Sequence, residues 1–315
     1  MSMSVNDLKI AVLMGGIGSE REVSLLTGAN IAAAVSKAGY CVVQSDITPD
    51  DMSILDDSTI DLFFLGLHGR FGEDGTLQKF LEERGLVFTG SGSKASAAAF
   101  DKHTSKTIWK QAGINVPKDI RIDGSARLES VAEELAKFGE KFVVKPITQG
   151  SSVGVEIITG PEAAAKAGFN CLSEYGDCMI EEFIPGREIT VGILLEKTLP
   201  IIEVRSKAVF YDYNAKYLDD ATEYLFGTID DKELIDRINN IAYKCHSTLG
   251  CRHLSRVDMI ITEDGTPYVL EINTLPGFTS HSLIPMAAKK AGIGADFLCD
   301  KIIRSALNKE KVTGM

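Results

Sequence analysis

Residues 254–273 read Leu254-Ser255-Arg256-Val257-Asp258-Met259-Ile260-Ile261-Thr262-Glu263-Asp264-Gly265-Thr266-Pro267-Tyr268-Val269-Leu270-Glu271-Ile272-Asn273. Polar and apolar positions alternate on either side of Asp264-Gly265, a dipeptide that favours two-residue turns, so an antiparallel hairpin is expected. If those two residues make the turn, Asp258 falls opposite Glu271 and Arg256 opposite Asn273. Side chains alternate with period two, which places all four on one face and Val257, Met259, Leu270 and Ile272 on the other. Facing carboxylates repel unless something neutralises them. Two acids and a carboxamide suit Mg²⁺, which keeps waters and completes its shell with substrate phosphates. A solvated sheet face is the plainer alternative, disfavoured by the polar turn Asn273-Thr274-Leu275-Pro276-Gly277 that follows. A loop of odd length would shift the register by one residue and undo the pairing.

Phosphates also need donors, and upstream lies Gly150-Ser151-Ser152-Val153-Gly154, between expected strands at Phe142–Lys145 and Gly154–Ile158. The connection is too short for a helical crossover, so these strands should be antiparallel. Its glycines would let backbone N–H groups approach an anion. Lys145, closing an apolar strand before Pro146, is a candidate phosphate contact, with a snorkelling surface lysine as the alternative. Leu128, Val131, Leu135 and Phe138 mark one face of a helix, and Met179–Phe183 forms a further strand. Beyond the turn at Pro185-Gly186 come strands at Glu188–Leu195 and Pro200–Val204. The aromatic, charged loop Phe210–Tyr217 follows, readable as a lid or a packed surface loop, then a helix at Asp231–Leu249, the hairpin and two terminal helices.

The first hundred residues alternate strand and helix signals: strands at Lys9–Met14, Cys41–Ser45, Ile60–Leu65 and Leu86–Phe88, helices after Ser19 and over Gly75–Glu83. This implies a parallel, doubly wound sheet of Rossmann-like type. Ser19-x-x-Glu22 reads as a capping box. Gly15-Gly16-Ile17-Gly18 fails as a dinucleotide fingerprint because Arg21 holds the third glycine position. Glu20 reads as an acid at the helix start. His68 lies at the carboxyl end of the third strand, where open α/β sheets bind ligands, although a turn residue fits equally. His281-Ser282-Leu283-Ile284-Pro285 reads as a helix start whose N–H groups and Ser282 hydroxyl would accept a carboxylate. One long helix is expected from Ser93 to Ala112. The chain divides into an N-terminal α/β unit at 1–100, an α+β unit at 101–184 and a third unit at 185–315.

The 315 residues carry a formal charge of −11, with 44% hydrophobic and 24% charged positions. That composition excludes a disordered or fibrous chain, and without a basic block it argues against nucleic acid or an anionic membrane surface. No apolar run approaches the ~18 residues of a membrane helix, and the start lacks signal-peptide character, so a cytoplasmic location is expected. The six cysteines form no Cys-x-x-Cys pair and read as reduced packing residues. Small molecules, or a second copy of the chain in a homodimer, are the expected partners.

Taken together, these motifs resemble the D-alanine–D-alanine ligase family of ATP-grasp enzymes. The resemblance runs from Gly15 to about Gly292. It rests on Ser19-Glu20-Arg21-Glu22-Val23-Ser24-Leu25, His68-Gly69 with Glu73-Asp74-Gly75, Lys145-Pro146 with Gly150–Gly154, Phe210-Tyr211-Asp212-Tyr213 with Ala215-Lys216-Tyr217, Arg256-Val257-Asp258, and Glu271 through Gly277. It implies a Rossmann-like N-terminal domain followed by a two-part ATP-grasp fold that ligates two D-alanines at the expense of ATP, for peptidoglycan precursors. Lys102, Lys145 and the lid's Lys216 would meet phosphates, and Glu181, Ile184 and Glu188 would hold adenine and ribose. Asp258, Glu271 and Asn273 would ligate two Mg²⁺ ions, or Mn²⁺ in their place. Glu20, grouped with Ser151 and Tyr217, would receive the ammonium of the first D-alanine, Ser282 the carboxylate of the second, and His68 would lie near the reacting carboxylate. Arg256 and the backbone of Gly277 would face the developing oxyanion. D-alanyl-D-lactate or D-alanyl-D-serine ligases, and a silent ATP-binding regulator on the same fold, are the alternatives. Tyr217 favours the dipeptide, because depsipeptide-forming relatives usually carry Phe there. Departures from the family pattern occur at Cys251–Ser255, at Leu225–Thr228 and at Phe278.

Overall fold

A computed structural model describes residues 7–150, 152–205, 222–279 and 281–307. Strands β1 (Lys9–Gly15), β2 (Cys41–Ile47) and β3 (Leu62–Leu65) form a parallel sheet in the order β2-β1-β3. Helix α1 (Arg21–Lys37) follows β1, and α2 (Thr76–Glu83) follows β3. Residues Ile10–Met14 of β1 and all of β3 are apolar because both their faces are covered. Ile10, Val12 and Phe64 pack against Ile31 and Val35 of α1. Ala11, Leu13, Phe63 and Leu65 pack against Leu77 and Leu81 of α2. The expected fourth strand reduces to a single parallel bridge between Phe63 and Phe88. The capping box does not form. Helix α1 begins at Arg21 with Glu20 as its N-cap residue, and no side chain caps it.

The long helix expected over 93–112 is two, α3 (Ser93–Phe100) and α4 (Lys102–Gln111). Asp101 breaks it by leaving helical geometry (φ −85°, ψ 102°) and accepting a hydrogen bond from the Thr104 N–H, which makes it the N-cap of α4. The second sheet joins β4 (Asp119–Ile122), β5 (Lys141–Pro146), β6 (Glu156–Thr159) and β7 (Cys178–Glu182) in the order β4-β7-β5-β6, all antiparallel. Helices α5 (Leu128–Leu135) and α6 (Pro161–Tyr175) cover one face around Phe142, Val144 and Ile180. Strand β4 and helix α6 lie where the sequence reading had none.

The third sheet contains β8 (Arg187–Leu194), β9 (Lys197–Thr198), β10 (Ile202–Arg205), β11 (Glu223–Phe226), β12 (Leu254–Ile261) and β13 (Pro267–Asn273). Its main path is β11-β10-β8-β12-β13. Helix α7 (Lys232–Thr248) and Trp109 of α4 bury Val257, Met259, Val269 and Ile272 on one face. Helix α8 (Leu283–Lys290) packs near β8, and α9 (Ala295–Leu307) returns to α1. All six cysteines are free, with Cys41 exposed and the others buried.

Candidate active site

The hairpin β12–β13 pairs Arg256 with Asn273 and Asp258 with Glu271, as expected, but by a different route. Its turn is not two residues long. Thr262 N–H donates to Thr266 O at 3.1 Å and Gly265 N–H to Thr262 O at 2.9 Å, leaving Glu263-Asp264-Gly265 as the loop, with Gly265 at φ +79°. Beyond the turn Met259 therefore pairs with Val269, and the register shifts between Met259 and Asp258. Leu270 is the extra residue of a β-bulge. Instead of filling the core it lines the cavity beside Glu271 and Ile260, and Val269 takes the buried position.

Asp258 is fixed on three sides. Arg256 donates from Nε at 3.0 Å and from Nη2 at 2.8 Å, and the Thr190 hydroxyl of β8 donates at 2.6 Å. Across the hairpin, Lys102 Nζ lies 3.5 Å from Glu271 and donates to the Gln149 carbonyl at 2.6 Å. Asn273 Oδ1 accepts the Leu275 N–H at 3.0 Å. Two carboxylates and a carboxamide, all hard oxygen donors, thus converge on one cavity face. This donor set fits a divalent cation that takes its remaining ligands from phosphates.

The second sheet supplies the opposite wall. Glu181 of β7 accepts from Lys145 of β5 at 2.9 Å and, on its other oxygen, from Lys106 of α4. Burial alone would raise the Glu181 carboxyl, but the two lysines outweigh it and hold it below the ordinary glutamate value. Burial pushes the Lys106 ammonium down to about 8, with Glu181 opposing part of the shift. Val143, Val155, Ile157 and Ile184 add an apolar slot beside these charges.

The first sheet and the α8 segment close the far end. Glu20 sits at the N-terminus of α1 but does not cap it, and its side chain faces Gly69 and Gly150. A Cβ on Gly69 would stand 2.4 Å from Glu20 Oε2, and its backbone at φ +67° favours glycine. His68 is buried, with Nε2 2.8 Å from the Thr27 hydroxyl and Nδ1 3.9 Å from Glu73. Ser282, the N-cap residue of α8, directs its hydroxyl to Thr279 N–H at 2.9 Å rather than to its own helix. Gly277 packs so tightly on it that a Cβ would come within 2.7 Å of Ser282 Oγ.

A cavity of about 570 Å³ connects these walls, within the usual range for small-molecule sites. Glu20, His68, Lys102, Lys145, Glu181, Ile184, Glu188, Arg256, Asp258, Glu271, Asn273, Gly277 and Ser282 all line it. Ser151, Lys216, Tyr217 and the rest of the aromatic loop lie outside the described residues. Sequence reasoning missed Thr190 and Lys106, and placed Leu270 on the buried face rather than in the cavity. The only signal for Lys106 was its spacing four residues after Lys102.

A family model described as D-ala D-ala ligase C-terminus matches residues 108–304, more than half of the chain. A D-alanine–D-alanine ligase from Aromatoleum aromaticum is 40% identical over 299 residues, covering 95% of this chain and 96% of that protein. One from Nitrosospira multiformis is 41% identical over 94% of this chain and 95% of that protein. The crystal structure of the Bacillus anthracis enzyme complexed with ATP is 39% identical, with a TM-score of 0.84 over 98% of this chain and 99% of that one. A D-Ala:D-Ser ligase from Enterococcus faecalis is also similar, at 27% identity and a TM-score of 0.82, over 95% of this chain and 99% of that one. The Rossmann-like sheet followed by the two antiparallel sheets of an ATP-grasp fold is thus shared along almost the whole length, and the chain belongs to the D-alanine–D-alanine ligase family.

Proposed function

We propose that the chain joins two D-alanines at the expense of ATP, making D-alanyl-D-alanine for peptidoglycan precursors. The observation that carries this reading is the shared cavity face of Arg256, Asp258, Glu271 and Asn273, set against Lys102 and Lys145. That face offers oxygen donors for a metal–phosphate complex and a guanidinium for an oxyanion at one place.

A carboxylate is a poor acyl donor, so the γ-phosphoryl of ATP is transferred to the carboxylate of the first D-alanine, giving ADP and an acyl phosphate. Lys102 and Lys145 offset charge on the transferring group. Asp258, Glu271 and Asn273 would hold Mg²⁺, which when bound neutralises phosphate charge. Glu20 receives the ammonium of the first D-alanine, and Ser282 binds the carboxylate of the second. The neutral amine of the second then attacks the acyl carbon. Arg256 and the Gly277 N–H stabilise the tetrahedral oxyanion, and inorganic phosphate leaves. Water must be kept out, or the acyl phosphate hydrolyses. Residues 210–217, with Lys216 and Tyr217, are assigned that task by the family resemblance.

The reading includes the division into units 1–100, 101–184 and 185–315, a cytoplasmic location and a homodimer. Among the described residues no helix is long and apolar enough to cross a membrane. The test is to supply ATP, Mg²⁺ and D-alanine together with D-lactate or D-serine and identify products by mass. D-alanyl-D-alanine as the main product supports the reading. A mixed depsipeptide or dipeptide as the main product assigns the chain to the related specificity.

A further inference from the structure

Helix α4 carries Lys102, Lys106 and Lys110 at intervals of four, which places them on one side of the helix. Each meets a different acid: Glu271, Glu181 and Asp119 respectively. Lys102 opens into the cavity and Lys110 is half-exposed, but Lys106 is 0% exposed and does not line the cavity. A buried ammonium carries a desolvation cost that a methionine of similar length would avoid, so Lys106 is poorly explained as a stabilising group. Its position suggests another task. Glu181 lies between Lys106 behind it and Lys145 in front, one carboxylate oxygen to each, and only Lys145 and Glu181 line the cavity.

We propose that Lys106 is a positioning residue for nucleotide binding: by neutralising Glu181 from behind, it leaves the charge of Lys145 available to the phosphates of ATP. With Lys106 present, the buried group of two lysines and one carboxylate presents a net positive charge to the cavity. Without it, Glu181 and Lys145 form a neutral pair, and Lys145 is held back from an incoming polyanion. The proposal rests on the cavity being the ATP site of the preceding reading. Its test measures binding in the absence of D-alanine, so failure of the ligase reaction and failure of this proposal are distinguishable.

The experiment compares the affinities of ATP and adenosine for the full chain, wild type against Lys106→Met, by calorimetry. Loss of one available unit charge should weaken ATP roughly 10-fold or more. Adenosine, which lacks phosphates, should change less than about 2-fold, and Lys106→Arg should restore ATP binding. In turnover, the KM for ATP should rise while the KM for D-alanine stays put. Unchanged ATP affinity, or equal losses for ATP and adenosine, would overturn the proposal, the latter by showing a general structural role. If Lys106→Met does not fold, the wild-type protein decides. Charged groups facing Lys106 are Glu181 of β7, Lys145 of β5 and Asp119 of β4. Its ammonium, held at about 8, loses its proton between about pH 7 and pH 9. ATP affinity should fall across that range while adenosine affinity does not, and a flat ATP profile overturns the proposal.

Discussion

Asp258 and Glu271 face each other across β12 and β13 because two irregularities cancel. The loop Glu263-Asp264-Gly265 is one residue longer than the turn suggested by Asp264-Gly265, and alone it would place Leu270 opposite Asp258. The bulge at Leu270 absorbs the extra residue and returns Glu271 to that position. Both Leu270 and Glu271 then face the cavity, one supplying apolar surface and the other charge.

If this pair holds the metal, Asp258→Asn and Glu271→Gln should each lose metal-dependent turnover while keeping a near-native melting temperature. Groups that only support metal ligands are worth ~10–100-fold, so loss of a direct ligand should cost at least about 100-fold in kcat. Steady-state rates across a Mg²⁺ titration check this. Full activity in either variant would remove that residue from the metal site.

Arg256 grips Asp258 with two guanidinium nitrogens while facing the same cavity. Lysine cannot reproduce that fork. Arg256→Lys should therefore lower kcat by about 10²–10³, the usual cost of an oxyanion donor, with a smaller effect on the KM for ATP. A change confined to KM would place Arg256 in ground-state binding instead.

His246 is buried beneath the third sheet, with Nδ1 2.8 Å from the Ser255 hydroxyl. Burial lowers it from 6.5 to about 4, so the folded state holds a neutral ring that the unfolded chain would protonate at higher pH. Stability is therefore intact above about pH 6.5 and is lost as pH falls toward 4. At ~1.4 kcal/mol per unit the loss approaches about 3 kcal/mol. Urea denaturation from pH 7 to pH 4 should show this slope, and His246→Gln should flatten it. An equal slope in the variant would assign the acid sensitivity to other groups.

The fold was legible wherever periodicity and punctuation agreed. The alternation of Leu254–Asn273 and the short link Gly150–Gly154 each pointed to an antiparallel pair, and the apolar run expected at Ile60–Leu65 marked β3. Helix α6 was missed because its alanines and Gly168 make a weak amphipathic pattern, although Gly160 and Gly176 bracket it. The break at Asp101 was hidden because an Asp inside a helical run reads as a surface residue until its side chain is seen capping Thr104. Glu20 shows what sequence logic lacks at a site. Its place at a helix start suggested capping, and only the approach of Gly69 and Gly150 shows that the carboxylate points elsewhere. Lys106 could not be singled out, since burial of a lysine depends on acids contributed by distant strands, here Glu181 of β7.

The most direct test is phosphate release from ATP by the purified chain as D-alanine is added in the presence of Mg²⁺. Release should be negligible without D-alanine, rise with it and match D-alanyl-D-alanine formed, one for one. Release that ignores D-alanine, or no release at all, would contradict the assignment.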